Sequence, residues 1–130
     1  MVRIGLLVAL AAALTAAIPA SGAEQGRVAH YCSTSGDVCY GIFRGSAGLY
    51  RFKLTTAAKY FSRYRICVKP KGLTATCKGF RVRKSGATWG GTVVWQRNFP
   101  ARGVGTHVVT WKLGARRLGP SLKFVVPAPA

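Results

Sequence analysis

Acid–base and nucleophilic chemistry in this sequence would depend on very few side chains. The chain has two carboxylic acids, Glu24 and Asp37, and two histidines, His30 and His107. A glycosidase of the usual kind needs two carboxyl groups held on opposite sides of the scissile bond. Glu24 is expected on a loose N-terminal lead and Asp37 in a tight Ser-Gly-Asp turn. A pair of cooperating carboxylates is therefore not expected.

Other catalytic motifs are also missing from the sequence. A serine–histidine–carboxylate relay would have to recruit Glu24 or Asp37, and no Gly-x-Ser-x-Gly turn is present to expose the serine. The glycines are too isolated for a loop that cradles phosphate. We therefore expect a protein that is not an enzyme, uses no cofactor and has no small-molecule substrate.

The cysteines form two closely spaced pairs, C-x6-C and C-x9-C, made by Cys32, Cys39, Cys67 and Cys77. A turn at 35–36 would place the first two opposite each other, and a turn centred on Gly72 would do the same for the second two. Four cysteines allow three pairings, which the sequence leaves open; we favour the two local pairs. Without a C-x-x-C motif, a redox or metal-binding thiol set is not expected. The pattern predicts two disulfides, no free thiol and no metal site.

His107 is the histidine that a ligand hypothesis would use, because it lies in the regular run GTHVVTWKL. In that run it shares one face with Val109, Trp111 and Leu113. An aliphatic and aromatic face is typical of a strand that packs on a core. We therefore interpret His107 as a partly buried histidine of the sandwich whose ring bonds to nearby backbone, and not as a ligand.

These residues must be positioned by short strands, because apolar and polar side chains alternate in YRFKL, YRICV, FRVRK and THVVTWKL. Such alternation predicts antiparallel strands with one face on a core. Clusters of glycine, proline and serine separate the runs. About seven short strands in about 100 residues predict an all-β, immunoglobulin-like sandwich over residues 30–126. Its core would contain Tyr50, Phe52, Ile66, Val68, Phe80, Val82, Val109 and Trp111. Only residues 55–61 are suited to a helical turn.

The N-terminal segment resembles a secretory signal peptide over residues 1–23. Arg3 precedes an apolar run at 4–17, and small residues follow at 21–23. The alternative is a retained membrane anchor. The apolar run is short for that role, because a membrane span needs about 20 residues. We expect a loose lead at 24–29 and a loose tail at 127–130. The predicted location is extracellular, with association to the cell envelope as an option.

Residues 99–126 carry a family resemblance. Their order, G-T-H-V-V-T-W-K-L and then L-K-F-V-V, is similar to the last hairpin of bacterial immunoglobulin-like sandwiches, which reads G-T-Y-x-V-x-W and then F-x-V. With CSTSGDVCYG, YRICVKP and TCKGFRV, the whole chain resembles uncharacterised small secreted proteins of GC-rich Gram-positive bacteria. The resemblance implies a fold and no activity.

A distant likeness to the copper-resistance C family of sandwiches implies no copper site. That family uses a histidine at the mature N-terminus and an Asp-Gly-His in the last hairpin. Here the corresponding turn reads GARRLG, and Glu24 is the expected first mature residue. The copper ligands of that family are therefore missing.

The charge balance is the strongest functional signal. The chain has 20 lysines and arginines against two acids, with a net charge of +18, which implies attraction to polyanions. Alternation places four arginines on one face of a predicted hairpin, with a lysine at its tip, and these form the candidate binding site: Arg63, Arg65, Arg81, Arg83 and Lys71. The partner classes are a cell-wall polymer, an anionic lipid surface or nucleic acid. The other explanation is that these cations only discourage edge-to-edge aggregation.

A second functional hypothesis is a secreted protein-binding effector, such as an inhibitor or a toxin-like protein. It would act through loops at 98–105 or 115–120 and would bind a protein partner. The cysteine spacing does not match the bacterial subtilisin-inhibitor pattern, which disfavours this reading.

Overall fold

Two antiparallel β-sheets pack face to face in the structure, a computed structural model that describes residues 26–129. The strands are β1 (Arg27–Cys32), β2 (Val38–Arg44), β3 (Tyr50–Thr56), β4 (Arg63–Pro70), β5 (Thr76–Arg81), β6 (Arg83–Ser85), β7 (Thr88–Val94), β8 (Gly105–Leu113), β9 (Arg116–Arg117) and β10 (Leu122–Val126). The first sheet has the order β1-β2-β3-β7-β6, and the second β10-β8-β4-β5 with β9 beside β8. The predicted sandwich is confirmed. Ten strands occur where about seven were expected, and two of the extra ones, β6 and β9, are too short to show alternation.

The core forms because alternate residues of the central strands point between the sheets. Seven of the eight predicted core residues are buried, and Phe80 is partly buried against them. Trp111 lies at the centre, where its ring stacks on Tyr40 with centroids 4.4 Å apart and meets Phe52 at 6.1 Å. Aromatic side chains from both sheets thus supply much of the apolar burial that holds the sandwich together.

The β4–β5 hairpin has the register that the sequence predicts. Tyr64 pairs with Phe80 towards the core, Arg63 pairs with Arg81 on the outside, and Cys67 pairs with Cys77. The last pair forms a disulfide, as do Cys32 and Cys39, and no free cysteine occurs among residues 26–129. Both local disulfides are therefore confirmed.

The run FRVRK does not form one strand, which corrects the predicted position of Arg83. β5 ends at Arg81, and after the buried Val82 the chain enters β6 of the first sheet, where Arg83 pairs with Gly90. The N–H of Val82 donates to the carbonyl of Ser62 at 2.9 Å. The alternation continues through this change of sheet because both Phe80 and Val82 pack on the same core.

Between residues 26 and 129 the helical turn is α1 (Trp95–Asn98), not the segment 55–61. Thr55 and Thr56 extend β3, as their β-branched side chains favour. In α1, the N–H of Phe99 donates to the carbonyl of Trp95 at 2.9 Å, and the Asn98 side-chain amide donates to the Val94 carbonyl at 2.8 Å. The buried Trp95 fixes this turn to the core.

The ends of the domain differ from the expected boundaries at the N-terminal side. Strand β1 begins at Arg27 and pairs with β2 through Ala29, so residues 27–29 are not a loose lead. Residues 127–129 have no regular secondary structure. The predicted signal peptide at 1–23 lies outside the described residues. Within residues 26–129, none of the helical structure has the length and apolar character needed to span a bilayer.

Candidate polyanion-binding face

The outer surface of the second sheet gathers cations from five strands. Residues that are direct register partners in a sheet point to the same side. Arg65 of β4 pairs with Lys112 of β8, which pairs with Arg117 of β9. Further along, Lys69 pairs with Val108, which also faces Lys123 of β10. We call this surface the basic face, and its cations are Arg63, Arg65, Lys69, Arg81, Lys112, Arg117 and Lys123.

The side chains of the basic face are open to solvent. All of its cations are exposed except Lys112, which is half-buried. Gly79 lies opposite Arg65, and the atom nearest to where its Cβ would be is Nη2 of Arg63, at 3.6 Å. The Arg63 guanidinium therefore lies next to Gly79, on the outer side of the β4–β5 hairpin.

Two adjoining grooves run over the basic face. One has a volume of about 230 Å³ and is lined by Lys69, Lys112, Arg117 and the disulfide of Cys67 and Cys77. The other has a volume of about 340 Å³.

The larger groove lies between three lysines, Lys69, Lys71 and Lys123. Lys69 and Val108 line both grooves, so the two lie side by side on the basic face. Hydroxyls lie at the edge of the smaller groove, where Thr110 Oγ1 and Ser121 Oγ are 2.6 Å apart. Cations beside hydroxyl groups can bind phosphate or sulfate oxygens by charge and by hydrogen bonds.

The structure brings together four of the five predicted site residues. Arg63, Arg65 and Arg81 lie on the basic face, and Lys71 lies at its edge, lining the larger groove. Arg83 is separated from them, because it belongs to the first sheet and lines a groove there with Lys53. The predicted four-arginine cluster is thus reduced to three.

Sequence reasoning missed the cations that β8, β9 and β10 contribute. Lys112 and Lys123 each alternate with buried residues, which was a usable signal for their outward direction. That signal did not show that β8 and β10 lie beside β4. Arg117 gave no such signal, because β9 has only two residues and is too short to show alternation.

The electrostatics of the basic face are dominated by repulsion among its own charges. Asp37 is the only carboxylate side chain within residues 26–129, and it lies in the turn between β1 and β2 of the other sheet. With two acids in the whole chain, at most two of the 20 cations can be neutralised internally. Salt at physiological strength screens such charges over about 8 Å. The face is therefore a concentrated positive surface at low salt.

His107 is fully buried and packs as a core residue. Its Nδ1–H donates to the carbonyl of Gly105 at 2.9 Å, and its ring stacks on Phe124 with centroids 5.0 Å apart. The ring of Trp95 packs edge-on against the ring of His107, with centroids 5.1 Å apart. The predicted bond to nearby backbone is present, and the burial is complete where the sequence predicts a partial one.

One group of potential metal ligands lies on the first sheet. Ligand atoms of His30, Cys32 and Cys39 are all within 4.8 Å of one another. Both sulfur atoms are joined in the disulfide, and a sulfur binds metal strongly only as a thiolate. In the oxidised protein this group therefore lacks the charge that a metal site of this kind needs.

No protein-family model, no curated protein and no solved structure matches the chain. The resemblance of residues 99–126 to bacterial immunoglobulin-like sandwiches therefore stays a prediction.

Proposed function

We propose that this protein is a secreted, strongly basic binding module without catalytic activity, which contacts extracellular or cell-envelope polyanions through the basic face. The observation that supports the proposal is the clustering of seven cations on one side of one sheet, whose described positions include no carboxylate. An ordinary solvated surface mixes charges of both signs. Charges of one sign on one surface attract a polyanion and release its counterions on binding.

The sheet gives this surface a fixed geometry. Neighbouring strands are about 4.8 Å apart, and alternate residues along one strand are about 6.6 Å apart. The cations thus form a two-dimensional array that several anionic groups of one polymer can contact together. Arginine can donate two parallel hydrogen bonds to one phosphate, which favours phosphate-bearing polymers.

The two disulfides support an extracellular role. Cys32–Cys39 and Cys67–Cys77 indicate an oxidising environment, since such bonds persist mainly outside the cytosol. The second disulfide lies on the basic face itself and restrains the β4–β5 hairpin. A surface that is already ordered loses less conformational entropy when it binds. The predicted signal peptide is consistent with the same location.

The test is retention on immobilised polyphosphate in a salt gradient. One variant carries Arg65→Gln, Lys69→Gln, Lys112→Gln and Arg117→Gln, which removes the centre of the basic face. A control with equal charge loss carries Arg44→Gln, Arg51→Gln, Arg83→Gln and Lys84→Gln, which all lie on strands of the first sheet.

We expect the first variant to lose up to about 0.9 in the salt slope for each phosphate contact removed, and the control to lose much less. Equal weakening in both variants would mean that net charge alone governs binding. Retention that does not respond to salt would also refute the proposal.

A further inference from the structure

The end of the sandwich next to the larger groove carries a group of exposed aliphatic side chains. The N–H of Lys71 donates to the carbonyl of Thr106 at 3.0 Å, so the β4–β5 turn lies beside the start of β8. Leu73 lies in that turn, Val104 is two residues before Thr106, and Val125 of β10 is the register partner of Thr106. We call Leu73, Val104 and Val125 the apolar tip.

The apolar tip is strongly exposed. The exposed fractions are 45% for Leu73, 56% for Val104 and 59% for Val125. These are three of the five large hydrophobic side chains that are exposed within residues 26–129. Single exposed hydrophobic residues are normal, but a group of them beside charged residues marks an interaction site.

Lysines lie beside the apolar tip. The larger groove is formed by Lys69, Lys71 and Lys123 around the apolar surface of Pro70 and Val108. The groove is continuous with the rest of the basic face through Lys69. Cations and aliphatic side chains are thus presented by one end of the second sheet.

The one described carboxylate lies at the opposite end of the strands. The N–H of Ala57, directly after β3, donates to the backbone carbonyl of Asp37 at 2.9 Å. At the other end of β3, the hydroxyl of Tyr50 donates to the carbonyl of Val125 at 3.1 Å. Strand β3 is seven residues long, so about 20 Å separates the two ends. Asp37 therefore does not neutralise the lysines at the apolar tip.

We propose that the apolar tip docks the protein on a bilayer that contains anionic phospholipid. Leu73, Val104 and Val125 enter the interfacial region, while Lys69, Lys71 and Lys123 contact headgroup phosphates. The inference rests on the proposed function and names the polyanion as a lipid surface. A soluble polyanion would pair with the lysines but would offer no apolar phase to the aliphatic side chains. A bilayer satisfies both, since apolar burial and attraction to anionic headgroups act together in interfacial binding.

The experiment is co-sedimentation with vesicles of equal parts phosphatidylglycerol and phosphatidylcholine, beside vesicles of phosphatidylcholine alone. The test variant carries Leu73→Ser, Val104→Ser and Val125→Ser. The control carries Val28→Ser and Tyr60→Ser, the other exposed large hydrophobic residues. Thermal unfolding verifies that both variants are folded, and polyphosphate retention is measured on the same samples.

We expect the protein to bind the anionic vesicles and not the neutral ones. The test variant should lose at least about tenfold in vesicle affinity, with polyphosphate retention unchanged, while the control binds both as before. Equal vesicle binding by the test variant and the unmodified protein would overturn the lipid inference. So would polyphosphate retention without vesicle binding, an outcome that leaves the proposed function intact and favours a soluble polymer or an acidic protein. Absence of both vesicle binding and polyphosphate retention would refute the proposed function together with the inference.

Discussion

Arg63 and Arg81 lie directly opposite each other on β4 and β5, as register partners on the outside of the second sheet. Like charges in directly opposed positions destabilise a sheet by about 0.2–1 kcal/mol. The pair therefore lowers the stability of the fold while it adds positive charge to the basic face. A surface selected only for stability would not need two arginines at this position.

Removal of one member of this pair should stabilise the protein. We expect Arg81→Gln to raise the free energy of unfolding by about 0.2–1 kcal/mol at low salt, and by less at high salt because the repulsion is screened. Urea unfolding at two salt concentrations measures both values. Arg51→Gln is the control, since its register partners Phe43 and Val94 carry no charge. A gain that is the same at both salt concentrations would exclude charge repulsion as its cause.

The disulfide between Cys67 and Cys77 should contribute strongly to stability. The bond closes a loop with a sequence separation of 10, which restricts the unfolded chain. The loop-closure estimate gives about 2–3 kcal/mol, so the double substitution Cys67→Ser and Cys77→Ser should lower the unfolding free energy by that amount. The same substitutions at Cys32 and Cys39 give a comparison with a loop separation of 7. A loss below about 1 kcal/mol in guanidinium unfolding would show that the unfolded chain is already restricted.

Substitution at His107 should distinguish its packing from its hydrogen bond. His107→Phe keeps the ring against Phe124 and Trp95, loses the bond to Gly105, and removes the buried Nε2 atom, which has no hydrogen-bond partner. We expect a change below about 1.5 kcal/mol, because these two polar effects oppose each other.

His107→Ala should cost about 2–4 kcal/mol, since it leaves a cavity in the core. Calorimetric unfolding of both variants measures the difference. Equal destabilisation by phenylalanine and alanine would show that the hydrogen bond dominates and that the prediction is wrong.

Two buried tyrosines should make the protein sensitive to alkali. Burial raises the pKa of Tyr64 to about 12, and burial together with the neighbouring Tyr31 raises the pKa of Tyr40 to about 12. Both values exceed the ordinary 10.0, so the unfolded chain loses these protons first as the pH rises. Stability should therefore fall between about pH 10 and about pH 12.

Tyr64→Phe should make that alkaline loss of stability smaller. The measurement is the unfolding free energy as a function of pH, and Tyr60→Phe, at an exposed tyrosine, is the control. If Tyr64→Phe leaves the alkaline slope as it is in the unmodified protein, the ionisation of Tyr64 does not cause the loss.

Pairing within one hairpin was predictable because two local constraints agree. Alternation assigns Tyr64 and Phe80 to the inside, and a turn at Gly72 makes them partners while it brings Cys67 to Cys77. The register cannot slip by one residue without turning the apolar face to solvent. The pairing of β4 with β5 could therefore be predicted from the local sequence alone.

Contacts between distant strands were not predictable in this way. Alternation reports whether a side chain faces the core, but not which sheet the strand joins, so Arg83 was assigned to the wrong sheet. The same limit concealed the proximity of Lys112 and Lys123 to Lys69, which depends on β8 lying between β4 and β10. About half of the basic face therefore appeared only in the structure.

Val82, the single residue between β5 and β6, has a mechanical consequence. One residue spans less than about 4 Å, so at this border a very short covalent connection holds the edges of the two sheets together. The sheets cannot slide or separate there unless β5 or β6 first loses the backbone hydrogen bonds to its neighbouring strand. At the far border the sheets are linked instead through side chains, including the hydroxyl of Tyr40, which donates to the carbonyl of Pro120. Under mechanical load the two sheets should therefore separate first at the border formed by β1 and β10.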